Sequence, residues 1–172
     1  MISMRPATSQ DRDVLFHLMQ FYFFESSAWS GEDVGADGHY DCTADDVAAS
    51  LAGSPGWAHL LHVDDQVAGF VLVDEADFGG TAYPELADLF VLPKYRGRGV
   101  ASHAATTLLA PASGPWLLAV FKRDLQAYAY WRRTLPRLGV AFEEQPEPAQ
   151  GDFRFFLLKT ASAHGMAWEV SR

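Results

Sequence analysis

The sequence predicts a mixed α/β (α+β) fold, with residues 1–172 forming a single domain. Two apolar β-type runs near residue 65 are joined by a polar pair that is typical of a hairpin. Strand and helix patterns then alternate through the middle of the chain, which is typical of a domain that mixes both elements. With 49% apolar and 20% charged residues, the composition is that of a globular domain and not of a disordered chain.

The first half of the chain begins with a short apolar run that predicts an edge strand, followed by a helix with a start signal. Thr8 has N-cap chemistry, and Asp11 three residues later gives a near capping box. Apolar residues at helical spacing continue to Tyr22. The predicted elements are a strand at 2–6, a helix from 8 to about 22, an acidic loop at 25–46, a short helix from Thr43 to about Leu51, and strands at 57–63 and 66–73 joined at Asp64-Asp65.

The second half alternates strands and helices whose ends are marked by proline. Pro93, Pro111 and Pro136 each follow an apolar or periodic run that they are expected to end. The predicted elements are strands at 85–92, 116–120 and 153–158, and helices from Val100 to before Pro111 and from Asp124 to about Thr134.

Charge is distributed unevenly along the chain. The net charge of −9 argues against a nucleic-acid partner, since such proteins normally present a basic face. Residues 94–137 nevertheless carry a net charge of +7, and the remainder carries −16. This basic segment favours a local anionic ligand, although a solvated basic helix face would give the same count.

Several function classes are excluded by simple counts. The single cysteine, Cys42, excludes an internal disulfide framework and any paired-cysteine metal or redox motif. There is no apolar run of about 18 residues, so we expect no membrane span and no membrane partner. The N-terminus lacks the pattern of a secretory signal, and the sequence therefore predicts a cytoplasmic protein.

The segment most informative about chemistry is LFVLPKYRGRGVASHAATTLL, residues 89–109. A strand pattern ends at Pro93, the loop sequence RGRG occupies 96–99, and a helix pattern follows. Glycines let backbone N–H groups approach a ligand, and a helix N-terminus offers unpaired donors and a positive dipole end. With two arginines, this arrangement predicts a site for a pyrophosphate-like anion. The other interpretation is a solvent-exposed turn.

The run VLPKYRGRGVA resembles the acyl-CoA-binding signature of the GNAT-family N-acetyltransferases. The family pattern places Arg or Gln, then Gly, then Gly or Ala, and it is met here by Arg96, Gly99 and Ala101. DLQAYAYWRRTL, residues 124–135, resembles the second cofactor-side helix of the family, and the first strand and helix are similar as well. The resemblance covers residues 2–160.

The resemblance implies a mixed, mostly antiparallel sheet with helices on both faces and a splayed central strand pair. It also implies acetyl-CoA as co-substrate, with its pantetheine arm between the splayed strands. The implied cofactor-binding residues are Leu89, Phe90 and Val91 through their backbone, Arg96, Gly97, Arg98, Gly99, Val100 and Ala101 around the pyrophosphate, and Asp124.

The catalytic residues of the family are only partly matched. Ala87 occupies the position where the family usually has a Glu that acts as the general base, and Glu85 and Asp88 lie nearby in the sequence. Strict strand alternation places these two carboxylates on opposite faces, and Glu85 is favoured as the base because alternation puts it on the side of Ala87. Trp131 occupies the position where the family often has a Tyr that acts as the general acid. Tyr130 is therefore the candidate general acid, and Tyr128 is the second choice. No metal is expected, and an acyl-Cys42 route is not favoured.

The predicted function is transfer of an acetyl group from acetyl-CoA to a primary amine by direct attack on the thioester in a ternary complex. The alternative is a non-catalytic acyl-CoA-binding or regulatory domain of the same fold, and a binding domain for another anion is a third reading. The acceptor is expected to be a small-molecule or peptide amine. The acidic loop at 25–46 either attracts a cationic acceptor or is a solvated surface. The resemblance also allows a homodimer.

Overall fold

A computed structural model of the chain describes residues 1–52, 57–112, 114–146 and 151–160. The strands are β1 (Ile2–Pro6), β2 (Ala58–Val63), β3 (Gln66–Phe78), β4 (Thr81–Val91), β5 (Pro115–Phe121), β6 (Ala141–Glu144) and β7 (Phe153–Lys159). The helices are α1 (Arg12–Ser30), α2 (Ala44–Ala52), α3 (Val100–Leu109) and α4 (Leu125–Arg137), with 3-10 turns at Ser9–Asp11 and Pro93–Tyr95.

The strands form one seven-stranded sheet in the order β1-β2-β3-β4-β5-β7-β6. Every neighbouring pair is antiparallel except β4 and β5, which run parallel. The predicted mixed, mostly antiparallel sheet is therefore confirmed. The single parallel pair, β4 and β5, lies near the centre of the sheet, and the candidate site lies between these two strands.

The tight turns follow local chemistry. Asp64 and Asp65 have φ of 50° and 62°, as a two-residue hairpin between β2 and β3 requires. Gly79 and Gly80 have φ of 64° and 80° in the next hairpin. This second hairpin makes β3 and β4 longer than predicted, because the exposed Asp and Glu residues of 74–77 hide the strand pattern.

Each face of the sheet has its own apolar core. On one face, Leu15 and Leu18 of α1 and Val47 of α2 pack against strand residues that include Phe70 and Phe90. On the other face, α3 and α4 pack over residues that include Leu86 and Val91. The prediction of helices on both faces is confirmed.

Two predicted elements differ from the structure. The acidic loop does not begin at residue 25, because α1 continues to Ser30 and ends only at Gly31, whose φ of 82° allows the left-handed cap. The short strand β6 was not predicted, since its four residues alternate too briefly to be recognised. None of the helices that the structure describes is long and apolar enough to cross a membrane.

Candidate active site

A gap in the middle of the sheet is the main feature of the site. Strands β4 and β5 pair only through Glu85 with Leu117 and Leu86 with Leu118. Beyond this point β4 continues beside β3 to Val91, and β5 continues beside β7 to Phe121. The two strands therefore diverge toward their carboxyl ends, as the predicted splayed pair requires.

Backbone groups of β4 face this gap. In an antiparallel ladder, alternate residues exchange hydrogen bonds with the neighbouring strand. Leu92 donates its N–H to Ala68 O at 2.8 Å, so Phe90, two residues earlier, also faces β3. Leu89 and Val91 lie between these positions, and their backbone groups point into the gap.

The loop after β4 presents unpaired N–H donors at the open end of the gap. Gly97 and Gly99 have φ of 73° and 85°, a left-handed conformation that side chains disfavour. The first hydrogen bond within α3 runs from His103 N–H to Gly99 O at 2.9 Å. The N–H groups of Val100, Ala101 and Ser102 therefore have no acceptor inside the helix and are placed to bind an anion.

The two arginines of the loop are arranged differently. Arg96 Nε donates to Val91 O at 2.7 Å, and its terminal nitrogen lies 2.6 Å from Glu25 Oε2 on α1. Arg98 is exposed, and its guanidinium lies over the ring of Tyr95 at 5.8 Å from the ring centroid. Both arginines are exposed, and only Arg96 is also held by a carboxylate of α1.

A cavity of about 510 Å³ occupies the gap between β4, β5 and the C-terminal half of α1. Among the described residues that line it, none is Lys, Arg or His. The lining is instead rich in carboxylates and aromatic rings. It includes Glu32, Asp77, Glu85, Asp88 and Asp124, together with Tyr22, Phe23, Trp29, Phe121, Trp131, Phe153 and Phe155.

A β-bulge in β4 brings Glu85 and Asp88 to the same face, which corrects the expectation from strict alternation. The pairing with β3 passes from Leu72–Asp88 directly to Val73–Leu86, so Ala87 has no partner. Leu86 packs against the α3–α4 face, and Phe90 packs against the α1 face. Glu85 and Asp88 therefore both point toward α1, a result that sequence alternation alone does not reveal.

Burial and mutual repulsion alter the ionisation of these carboxylates. The pKa of Glu85 is raised by burial and by the nearby charges of Asp88 and Asp74. The pKa of Asp88 is raised by burial and by Asp74, and a hydrogen bond from Tyr22 opposes this shift. A carboxylate with a raised pKa is a stronger base, so either group is suited to remove a proton in the cavity.

Helix α4 contributes one wall of the cavity. Asp124 caps the helix by accepting the N–H of Ala127 at 2.9 Å, and Asp124, Ala127 and Trp131 all line the cavity. The Tyr130 hydroxyl instead lies 3.1 Å from Ser102 Oγ of α3. The structure thus brings Glu85 and Asp124 to the cavity and places Tyr130 between α3 and α4.

Tyr22 and Trp29 are site residues that the sequence did not identify. Tyr22 was assigned to the apolar stripe of the first helix, yet its hydroxyl reaches Asp88, and its pKa is raised by burial and by that carboxylate. The residue type could have identified it, because a Tyr on the buried face of a helix normally needs a hydrogen-bond partner for its hydroxyl. Trp29 packs on Phe121 of β5 with ring centroids 4.7 Å apart.

The acidic segment after α1 forms a second, open cavity of about 530 Å³. Asp33, Asp37 and Asp41 line it, and Cys42 lies at its base. Burial raises the pKa of the Cys42 thiol to about 11, which disfavours a nucleophilic thiolate at neutral pH.

Comparison with known proteins identifies the family. The model of the acetyltransferase (GNAT) family matches residues 14–135. A search of the curated proteins found no match. Among solved structures, the fold is similar to the histone acetyltransferase HPA2 and related acetyltransferase of Corynebacterium glutamicum, with a TM-score of 0.66, 14% identity, and 96% of this chain and 99% of that chain covered.

Two further structures share the fold. The PaiA N-acetyltransferase of Thermoplasma acidophilum, in complex with coenzyme A, has a TM-score of 0.61 and 11% identity over 94% of this chain and 99% of that chain. Arabidopsis thaliana Naa50, in complex with the bisubstrate analogue CoA-Ac-MVNAL, has a TM-score of 0.56 and 14% identity over 93% and 99%. Since the family model matches well over half of the sequence, this chain belongs to the GNAT acetyltransferase family.

Proposed function

We propose that this protein transfers an acetyl group from acetyl-CoA to the primary amine of a small molecule or peptide, by direct attack in a ternary complex. One observation carries the proposal. The gap between β4 and β5 leads from a loop of unpaired N–H donors to a cavity where Glu85 and Asp88 share one face. An anion site and a proton acceptor are thus joined by one channel.

The cofactor half of the proposal rests on the loop and on the open edge of β4. The backbone groups of Leu89 and the N–H of Val91 would pair with the pantetheine arm, since the Val91 carbonyl already accepts from Arg96 Nε. The N–H groups from Gly97 to Ala101 would bind the pyrophosphate. Arg98 adds a charge at the same place. The coenzyme A bound to the Thermoplasma protein of the same fold supports this assignment.

The acceptor half rests on the charge of the cavity. A lining with five carboxylates and no basic side chain among the described residues favours a cationic amine such as a polyamine, an aminoglycoside or a lysine-like group. Aromatic rings such as Trp29 add cation–π attraction for the same ligand. The peptide-bearing analogue bound to the Arabidopsis protein supports an amine acceptor of either kind.

The chemistry requires one acyl transfer and the loss of two protons from the nitrogen. Glu85 accepts the first proton from the ammonium group, and the free amine attacks the thioester carbonyl carbon. The C–N bond forms, the C–S bond breaks, and the sulfur of CoA leaves as a thiolate. The nitrogen gives up its second proton, and the thiolate takes up one proton to become the free thiol. Tyr130 as the donor of that proton stays a prediction, because its hydroxyl lies beside Ser102.

A non-catalytic acyl-CoA-binding domain is the second candidate. One observation favours it. Ala87 matches the family's general-base position and Trp131 its general-acid position, and neither side chain exchanges a proton at neutral pH. Trp131 also fills part of the cavity wall. Such a domain would bind the cofactor and leave its thioester intact.

The test is to titrate the protein with acetyl-CoA by calorimetry and then to assay free thiol with a panel of polyamines, aminoglycosides, lysine and short peptides. Saturable binding, with thiol release for at least one amine, is the expected result. Absence of acetyl-CoA binding would overturn the cofactor site. Binding without thiol release for any amine would establish the non-catalytic domain instead.

A further inference from the structure

Two nitrogens of the Arg96 guanidinium donate to protein groups, although the side chain is 46% exposed. Its Nε donates to Val91 O at 2.7 Å, and its terminal nitrogen donates to Glu25 Oε2 at 2.6 Å. Its plane lies over the ring of Phe90, with 5.7 Å between Cζ and the ring centroid. These three contacts hold the guanidinium against Val91, Glu25 and Phe90.

The contact with Val91 has a structural reason. The carbonyl of Val91 points into the gap, where β5 has diverged and supplies no N–H. A carbonyl without a partner is costly at such a place, and Arg96 Nε satisfies it from the side chain. Arg96 thus stabilises the free edge of β4 at its last residue.

The contact with Glu25 reaches across to the acceptor wall. Glu25 lies one helical turn beyond Tyr22 on α1, so the two side chains are neighbours on that helix. The ring of Tyr22 contacts the ring of Phe90 at 6.0 Å between centroids, and Tyr22 and Asp88 line the same cavity. Arg96, Phe90 and α1 therefore form one connected unit that ends at the carboxylate of the cavity.

We propose that Glu25 and Arg96 are positioning residues that fix helix α1 against the end of β4 and so hold Tyr22 beside Asp88 in the cavity wall. In this assignment the side chain of Arg96 does not bind the phosphates, although it belongs to the signature loop. The loop then binds the cofactor through its backbone and Arg98. The expected effect on the rate of acetyl transfer rests on the proposed function, whereas the expected effect on acetyl-CoA affinity does not.

The test compares Glu25→Gln, Arg96→Gln and the double variant with Asp13→Asn, which removes a carboxylate from the exposed side of the same helix. Acetyl-CoA affinity is measured by calorimetry, and the pH profile of acetyl transfer is measured with the best amine from the panel. Melting temperatures show whether each variant is folded.

We expect acetyl-CoA affinity within about twofold of the parent for both single variants, because neither side chain touches the cofactor. We expect kcat/KM to fall about tenfold in each, with the acid limb of the pH profile displaced, because Asp88, whose charge raises the pKa of Glu85, loses its fixed neighbour Tyr22. The double variant should be no worse than either single variant, since both remove one interaction. Asp13→Asn should match the parent.

Two results would overturn the assignment. A tenfold or larger loss of acetyl-CoA affinity in Arg96→Gln, with Glu25→Gln near the parent, would make Arg96 a phosphate ligand. Additive losses in the double variant, or a parental pH profile in Glu25→Gln, would remove the link to Asp88. A parent protein that transfers acetyl to no amine counts against the proposed function, and the affinity comparison still decides the role of Arg96.

Discussion

The two halves of the site are built in different ways. The proposed cofactor half, residues 93–102, is one continuous segment whose backbone N–H groups are placed to bind an anion and whose local charge is basic. The proposed acceptor half is lined by residues of α1, α4 and four strands, β3, β4, β5 and β7, and the charged side chains among its described lining residues are carboxylates. One half depends on glycine conformation, and the other depends on which side chains the fold brings together.

This difference explains why one half can be recognised in a sequence and the other cannot. A loop that binds through its backbone needs small residues at fixed spacing, and that spacing survives in RGRGVA. A cavity made from distant segments imposes no spacing on any one of them. The contact between Tyr22 and Asp88, for example, joins residues 66 positions apart in the chain.

The largest expected effect is on the acceptor half. Glu85→Gln should lower kcat about 10²-fold, because the amide cannot take the proton of the amine. Acetyl-CoA affinity should stay within about twofold, since Glu85 lies at the narrow end of the gap, away from the loop. Steady-state kinetics and calorimetry separate the two quantities.

The control for this variant is Glu75→Gln, an exposed carboxylate of β3 that pairs beside Pro84 and is not part of the cavity lining. It should leave kcat unchanged. If Glu85→Gln is as active as this control and Asp88→Asn is inactive, then Asp88 is the base and the assignment of Glu85 is wrong.

The cavity carboxylates show which features of the fold the sequence predicts and which it does not. The ends of the strand and helix beside the loop were predicted closely, because a proline and glycines mark them. The orientation of Glu85 was not, since a single unpaired residue at Ala87 inverts the side-chain alternation. The extension of α1 to Ser30 was missed because its last turns, ESSAWS, are polar like the acidic segment that follows.

The next effect concerns the cofactor half. Arg98→Glu should weaken acetyl-CoA binding about tenfold, because it replaces an attraction for phosphate with a repulsion at the loop. The matched control is Lys94→Glu, which makes the same change of charge four residues earlier, at a side chain that also lies over the Tyr95 ring. Equal losses in the two variants would mean that only the general field of the basic segment matters.

A smaller effect is expected on stability. Because burial raises the pKa of Asp88 in the folded protein, its ionised form destabilises the fold, and this penalty appears as the pH rises through that raised pKa. Asp88→Asn should therefore raise the melting temperature by a few degrees at pH 7.5. The gain should vanish near pH 4, about the ordinary pKa of Asp, because the penalty builds only as the pH rises above the pKa of the unfolded chain.

Scanning calorimetry of the parent and Asp88→Asn at the two pH values checks this prediction. The amide oxygen still accepts the hydrogen bond of Tyr22, so the substitution changes charge with little change of shape. A melting temperature that falls at pH 7.5 would show that the ionised carboxylate is stabilised by its partners and that burial is not the dominant influence.

The smallest expected effect is that of Tyr130→Phe, and it decides whether the aromatic pair of α4 takes part in the chemistry. The hydroxyl of Tyr130 lies 3.1 Å from Ser102 Oγ, on the side of α4 that faces α3, whereas the neighbouring Trp131 lines the cavity. Removing the Tyr130 hydroxyl should change kcat by less than about threefold and should cost about 1 kcal/mol of stability from the lost hydrogen bond. A proton donor to the leaving thiolate would instead lose about 10²-fold in kcat. Ser102→Ala breaks the same hydrogen bond from the other side and should match Tyr130→Phe in stability, so a large loss of kcat in Tyr130→Phe alone would assign the acid to Tyr130.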